Sequence, residues 1–381
     1  MASMTSKERM LVAMKGSQPD YVPVAPDTSN MIPCRLTGKP FWDIYLYQDP
    51  PLWKAYIDAA KHFGFDGWLP SVPVEFDFER EEREAGPDWQ EAIVRSTPDR
   101  IYTRFHATAD GREEWSDYCS IYYIDNPPTH RWPLAKAGLP ESAPTEREDV
   151  LPRNHYEGIK AFEEAMAYMG DAGVVGMSVG LPGLSVRDVD GIYEYYDNPS
   201  VVIARCQEEH QRIVRRAREI VKLKPDFLLI GISGFMIANP EPIFRQLALP
   251  TLKEVTAICK EARIPSQIHC CGPEYKLVKI SAEETDLTSI NPLEIPPMGD
   301  CNLARVKREF GKRISLMGNL HTTAVMLLGT PRDVERAAKQ AIDDAAEGGG
   351  FILSTGDQCG RDTPDANIRK MIEVARTYGK Y

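Results

Sequence analysis

Asp226-Phe-Leu-Leu-Ile-Gly-Ile-Ser233, a helical stretch over 241–262, and then Ser266-Gln-Ile-His-Cys-Cys271 form the passage from which the architecture is read. Both apolar runs are short, nearly continuous rather than alternating, and close on small or turn-forming residues. That is the pattern of parallel strands covered on both faces, joined by a helical crossover. Working outward, comparable runs stand at 174–181, 287–294, 313–320 and 350–356, with a long helical stretch over 199–222. Upstream, 21–27 and 65–71 add two more strands around a helix at about 50–63. Eight strand–helix units predict an α/β chain folded as a (β/α)8 TIM barrel, a single barrel domain over 1–381. A doubly wound sheet is the alternative, but no Gly-x-Gly-x-x-Gly follows the first strand.

Residues 72–150 break this rhythm. Glu91-Ala-Ile-Val-Arg-Ser96, Arg100-Ile-Tyr-Thr-Arg-Phe-His-Ala107 and Glu113 to Tyr123 alternate aromatic and polar residues, with Asp110-Gly111-Arg112 between two runs. The pattern predicts an insertion after the second strand that contains a β-hairpin. Its place in the chain is expected to bring it over the barrel mouth, where Trp115, Tyr122 and Tyr123 would help cover a pocket. An insertion packed away from any substrate is the other reading.

Composition narrows the function classes. The chain has 45 Lys and Arg against 56 Asp and Glu, a net charge of −11, which argues against nucleic acid or another polyanion as the principal partner. No apolar run reaches the roughly 18 residues of a membrane span, and the start of the chain has no signal-peptide core. A cytoplasmic protein is expected. Eight cysteines in 381 residues are too sparse for a disulfide scaffold, so free thiols remain available as ligands.

His269 and Cys271 stand two apart at the end of a strand, so both side chains face the same way. An imidazole with one or two thiolates suits zinc, and the C-terminal ends of barrel strands are where catalytic groups gather. Cys359, in Leu353-Ser-Thr-Gly-Asp-Gln-Cys-Gly360 after the last strand, is the expected third ligand; Asp357 is an oxygen ligand, a partner to His269 or a substrate contact. Glu294 ends the sixth strand as a fourth ligand or a general acid or base, and His321 after the seventh is the candidate for proton transfer. Asn239 and Asn319 are expected to hydrogen-bond a substrate. Cys270 points the other way and reads as packing, as does Cys301.

Several further stretches carry a resemblance. Arg9 to Gly16 leading into Asp20-Tyr-Val-Pro-Val24, Phe244 to Pro250, His269-Cys-Cys-Gly272, Gly311 to Leu320, Leu328 to Val334, Gly348 to Ser354 and Thr363 to Ile368 together resemble the uroporphyrinogen decarboxylase superfamily, itself a (β/α)8 fold. Its decarboxylases carry an Arg-Gln-Ala-Gly-Arg-Tyr segment after the first strand; here Asp27-Thr-Ser-Asn-Met-Ile-Pro-Cys-Arg35 lacks it. The resemblance therefore implies the other branch, zinc methyltransferases that exchange methyl groups with a corrinoid protein. In that branch a His-x-Cys and a later Cys bind the metal. His269 and Cys271 match the first two positions, but Asp357 aligns with the family cysteine, and Cys359 stands two residues on.

What this implies is a Zn2+-dependent methyltransferase. The cobalamin is expected on a separate corrinoid protein, because the chain has no Asp-x-His-x-x-Gly motif. An aryl methyl ether, and so O-demethylation, is the favoured substrate, since fewer sulfur ligands leave zinc more electrophilic. A methylcobalamin:thiol methyltransferase and a metal-free decarboxylase-like lyase are the alternatives. The sequence itself sets no oligomeric state, although barrels of this type commonly dimerise as homodimers.

Overall fold

Seven short strands form one parallel sheet, hydrogen-bonded in chain order: Gly67–Leu69, Gly173–Val179, Phe227–Gly231, Ser266–His269, Ser289–Asn291, Ser315–Leu320 and Phe351–Thr355. One further stave, residues 21–25 and the first of eight in chain order, closes the ring between Gly67–Leu69 and Phe351–Thr355. The Asp66 amide donates to the Val24 carbonyl at 2.8 Å, Leu353 donates to Pro23 at 2.8 Å, and Ala25 donates to Leu353 at 2.9 Å. Pro23 and Pro26 lack amide protons, so this stave makes isolated bridges rather than a continuous ladder. Helices Pro199–Lys222, Leu249–Ala262, Tyr275–Glu284, Leu303–Phe310, Pro331–Ala345 and Asp365–Tyr378 complete the repeat. The expected (β/α)8 barrel is the fold, and each of the eight runs anticipated from the sequence holds a stave. The computed structural model describes residues 3–83, 88–109, 111–152 and 158–381.

Two compact units make up the chain. The barrel unit comprises Met1–Asp27, Ala60–Pro73 and Phe162–Tyr381. Its N-terminal helix, Ser6–Met14, begins with a capping box in which Thr5 accepts from the Glu8 amide and Glu8 reaches back to Thr5. Met10, Ala13 and Met14 on this helix pack with Ala25, Trp68, Val174, Phe227, Met317 and Ile352, plugging the end where the strands begin. Fully burying each large side chain of that set contributes about 1.5–3 kcal/mol. Arg9, only 2% exposed, pairs with Asp66 at 2.6 Å, and Asp66 also accepts from the Val24 amide at 2.9 Å. One buried ion pair therefore ties helix, first stave and second stave together.

Inside the barrel, Gln267 accepts from the Trp68 indole at 2.8 Å and donates to the Ser289 hydroxyl at 3.1 Å. One bond across the barrel and one to the neighbouring stave fix the inward face of the fifth stave. His269 and Cys271, two and four residues on, follow on that face, whereas Ile268 and Cys270 turn toward the helices and are fully buried.

The other unit, Thr28–Ala59 and Val74–Ala161, is built on an antiparallel sheet. Its strands run in the order Thr129–Pro133, Tyr118–Tyr123, Arg100–Ala109, Gln90–Ser96 and Glu148–Asp149, with Arg112–Trp115 also pairing with Arg100–Ala109. Ala109 stands opposite Arg112, as a tight hairpin requires; Asp110 lies outside the described residues. The aromatics expected over a pocket have partners within their own unit. Tyr122 is buried among Leu46, Ile93 and Ile101 with its hydroxyl on Glu91 at 3.0 Å, the Trp115 ring stacks on His106, and the Tyr123 hydroxyl meets Thr129 at 3.2 Å.

Candidate metal centre

At the end of the barrel where the strands finish, His269, Cys271 and Asp357 present donor atoms that all lie within 4.8 Å of one another. His269 Nε2 is 3.3 Å from the Cys271 sulfur and 3.8 Å from an Asp357 oxygen. Two staves position them. The fifth delivers the His-x-Cys pair on its inward face, and the loop leaving the eighth delivers Asp357. That loop turns through an unfavourable backbone conformation, with Asp357 at φ 110°, which costs on the order of 1–3 kcal/mol for a residue with a side chain. Such strain collects where a side chain must be aimed.

Neighbouring residues orient the cluster. Asn291 stands in register with His269 on the adjacent stave, its side-chain nitrogen 3.2 Å from His269 Nδ1. The Asn291 oxygen has no hydrogen-bond partner although it is buried. Turning the amide over pairs that oxygen with an Nδ1 proton and leaves the Nε2 lone pair facing Cys271 and Asp357. Asn291 thus fits the role of the residue that selects the ligating tautomer. Sequence reasoning missed it; its place at the end of the sixth strand was the available signal, but only the parallel register shows that it meets His269.

The electrostatics suit a cation. Burial, reinforced by Asp357 and Glu294, pushes the Cys271 thiol well above its ordinary range, opposed by a hydrogen bond with Ser233. Burial also raises Glu294, with Asp357 adding to the shift and His269 and His321 opposing it. Among the described residues, no Lys or Arg forms an ion pair with Asp357 or Glu294. A nitrogen, a sulfur and a carboxylate oxygen, without a protein cation to balance them, fit a borderline-soft divalent metal.

The remaining expected residues are placed as follows. Glu294 is 6% exposed, and one of its oxygens accepts from the Gly272 amide at 2.5 Å, which holds it beside Cys271. Cys359 is not in the donor cluster. It is fully buried, its amide is tied to the Asp27 carbonyl at 2.8 Å, and Thr355 and Thr363 contact its sulfur; burial raises that thiol to about 12. Asp357 occupies the third position instead, because the strained turn aims it inward two residues earlier. Asn239 is a second correction. Its oxygen accepts from Leu184 N–H at 2.8 Å and its nitrogen donates to the Leu184 and Phe235 carbonyls at 2.8 and 3.0 Å, so the fully buried side chain fastens loops.

Asn319 donates to the Leu293 carbonyl at 3.0 Å and, with His321, lines a cavity of about 440 Å3 that extends to Ala337 and Ala341 and is not lined by His269, Cys271, Glu294 or Asp357. His321 caps the helix Thr322–Leu327, its Nδ1 accepting from the Thr323 and Ala324 amides at 3.1 Å each. With Nδ1 so occupied, the proton sits on Nε2. His321, expected to transfer protons, is therefore set to donate a hydrogen bond from Nε2.

Comparison with known proteins adds the family. Residues 196–378 match the model described as uroporphyrinogen decarboxylase (URO-D). The match spans just under half of the chain. It contains all of His269, Asn291, Glu294, Asn319, His321 and Asp357. Over 135 residues the chain is 32% identical to the methylcobamide:CoM methyltransferase MtbA of Methanosarcina mazei and 30% identical to the protein of that name from Methanosarcina acetivorans. The matched stretch covers 35% of this chain and 37% of each relative, so the chain spans just over a third of their length in these matches. A solved methyltransferase from Methanosarcina mazei superposes with a TM-score of 0.63 over 99% of both chains at 16% identity, which shows a shared fold.

Proposed function

We propose that this chain transfers a methyl group between a small substrate and the cobalamin of a separate corrinoid protein, with a zinc ion held by His269, Cys271 and Asp357. The observation that carries the reading is the convergence of these three donors at the C-terminal end of the barrel strands. The relatives named as methylcobamide methyltransferases support the same class of reaction. When bound, zinc would supply Lewis acidity toward an oxygen or sulfur of the substrate. The chain's own residues do the rest. Asn291 holds the His269 ring in the tautomer that exposes Nε2. Glu294, its other oxygen fixed by the Gly272 amide, is the carboxyl that holds or releases a proton beside the donors. His321 offers its Nε2 proton as a hydrogen bond at the end of the seventh stave.

An aryl methyl ether is the favoured substrate. A donor set with a single sulfur leaves the metal more electrophilic than one with two, which suits polarising an ether oxygen. A thiol acceptor is the second reading, favoured by the relatives' named activity toward CoM. Metal analysis tests the shared premise: the protein as purified is expected to carry zinc near one per chain, and His269→Ala and Cys271→Ala to lose it together with activity. A metal-free wild type, or full activity in both variants, would overturn the reading and favour a lyase. Incubation with a reduced corrinoid protein and methoxylated aromatics, against a methylated corrinoid protein and thiols, separates the two substrates by product.

A further inference from the structure

A second cavity, of about 540 Å3, opens at the opposite end of the barrel, where the fifth, sixth and seventh staves begin. It is lined by Lys15 at the end of the N-terminal helix, Lys260 and Arg263 at the end of Leu249–Ala262, Asp286 ahead of the sixth stave, and Lys312 and Arg313 ahead of the seventh. Lys260 is the one of these cations with an ionic partner among the described residues, Asp286 at 2.6 Å. Among the described residues, Lys15, Arg263, Lys312 and Arg313 are exposed and make no side-chain ion pair or hydrogen bond.

Helix ends account for part of this charge. The helices Ser6–Met14, Leu249–Ala262, Tyr275–Glu284 and Leu303–Phe310 all finish at the cavity. Each C-terminus carries about half a negative charge, so four offset about two cations. Five cations less Asp286 still leave about two positive charges beyond what the helices balance. In a chain of net charge −11, gathering that surplus in one concavity points to an anionic ligand.

We propose that this cavity binds a small molecule carrying two or more phosphoryl groups. Its size is that of a small-molecule site, and a concavity favours one compact ligand over an extended polymer. Arg263 and Arg313 supply planar forks suited to phosphoryl oxygens, and Lys15 and Lys312 supply point charges around them. The site lies away from His269, so occupancy is independent of the metal.

Calorimetric titration of the metal-loaded protein with inorganic pyrophosphate at fixed ionic strength tests this. Saturable one-to-one binding is expected, stronger than for sulfate. The double variant Arg263→Gln/Arg313→Gln should weaken it by about tenfold or more while zinc content stays unchanged. Lys15→Gln/Lys312→Gln gives an independent readout should the arginine pair prove necessary for folding. His269→Ala/Cys271→Ala should bind pyrophosphate as the wild type does, which separates this site from chelation at the metal. Equal affinity in wild type and both cavity variants, loss of binding in the His269→Ala/Cys271→Ala protein, or binding no stronger than sulfate would each overturn the proposal.

Discussion

Asn291 is not one of the three donors, yet the cluster depends on which nitrogen of His269 carries the proton. Asn291→Leu, which removes the hydrogen-bonding group at Nδ1, is expected to weaken zinc binding by about 10–100-fold, read by competition with a chromophoric chelator. Asn291→Asp, which restores an acceptor, should recover most of it. Asp357→Gly separates strain from ligation: glycine tolerates φ 110°, so the metal-free variant should gain up to about 1–3 kcal/mol in unfolding free energy while zinc affinity falls. Glu274 is a different case. It is fully buried, one oxygen accepts from the Leu293 amide at 2.7 Å, the other has no partner, and burial raises its carboxyl well above the ordinary range. A raised folded-state value means the stabilising form is the protonated one. Its contribution is complete below the unfolded value of about 4.3 and is lost as pH rises through the folded value. Glu274→Gln keeps an acceptor for Leu293 and cannot ionise. Its thermal midpoint should therefore move increasingly above that of the wild type as pH rises toward alkaline values, and a constant difference across the range would contradict this.

Among the elements, the contact between the second and third staves tolerates no side chain. A Cβ on Gly173 would lie 2.2 Å from the Gly67 carbonyl oxygen and 2.4 Å from its Cα, both backbone atoms that cannot swing aside. Gly173→Ala is expected to cost at least about 1–3 kcal/mol in urea unfolding, because the strands must separate to admit the methyl group. The N-terminal helix is held by charge as well as by packing. Arg9→Met would leave Asp66 buried without its counter-ion, at an expected cost of about 3–5 kcal/mol, and removing Asp66 as well should recover part of the loss. The eight staves themselves were legible because each is short, apolar and bounded by turn residues. The first was legible only in outline, since its prolines break the ladder that defines a strand.

At the scale of the molecule, metal binding and folding are linked. If His269, Cys271 and Asp357 hold zinc in the folded state, adding zinc to metal-free protein should raise the midpoint progressively, the unfolding free energy gaining about 2.7 kcal/mol at a hundred times the dissociation constant. The His269→Ala protein should show no such rise. Among the described residues, no helix is long and apolar enough to cross a membrane. By itself the sequence determined the barrel, the order of its staves and the pairing of His269 with Cys271 on one face, since strand periodicity is a local property of the chain. The third donor was decided only by the tertiary structure. Cys359 and Asp357 sit two residues apart in one loop, and what separates them is the left-handed turn at Asp357 together with the bond from the Cys359 amide to Asp27, more than 300 residues away along the chain. The same holds for Asn291 beside His269 and for the cations gathered beneath the barrel. Each depends on which strand or helix end lies next to which, and that is set by the closing of the ring, where residues far apart in the chain become neighbours.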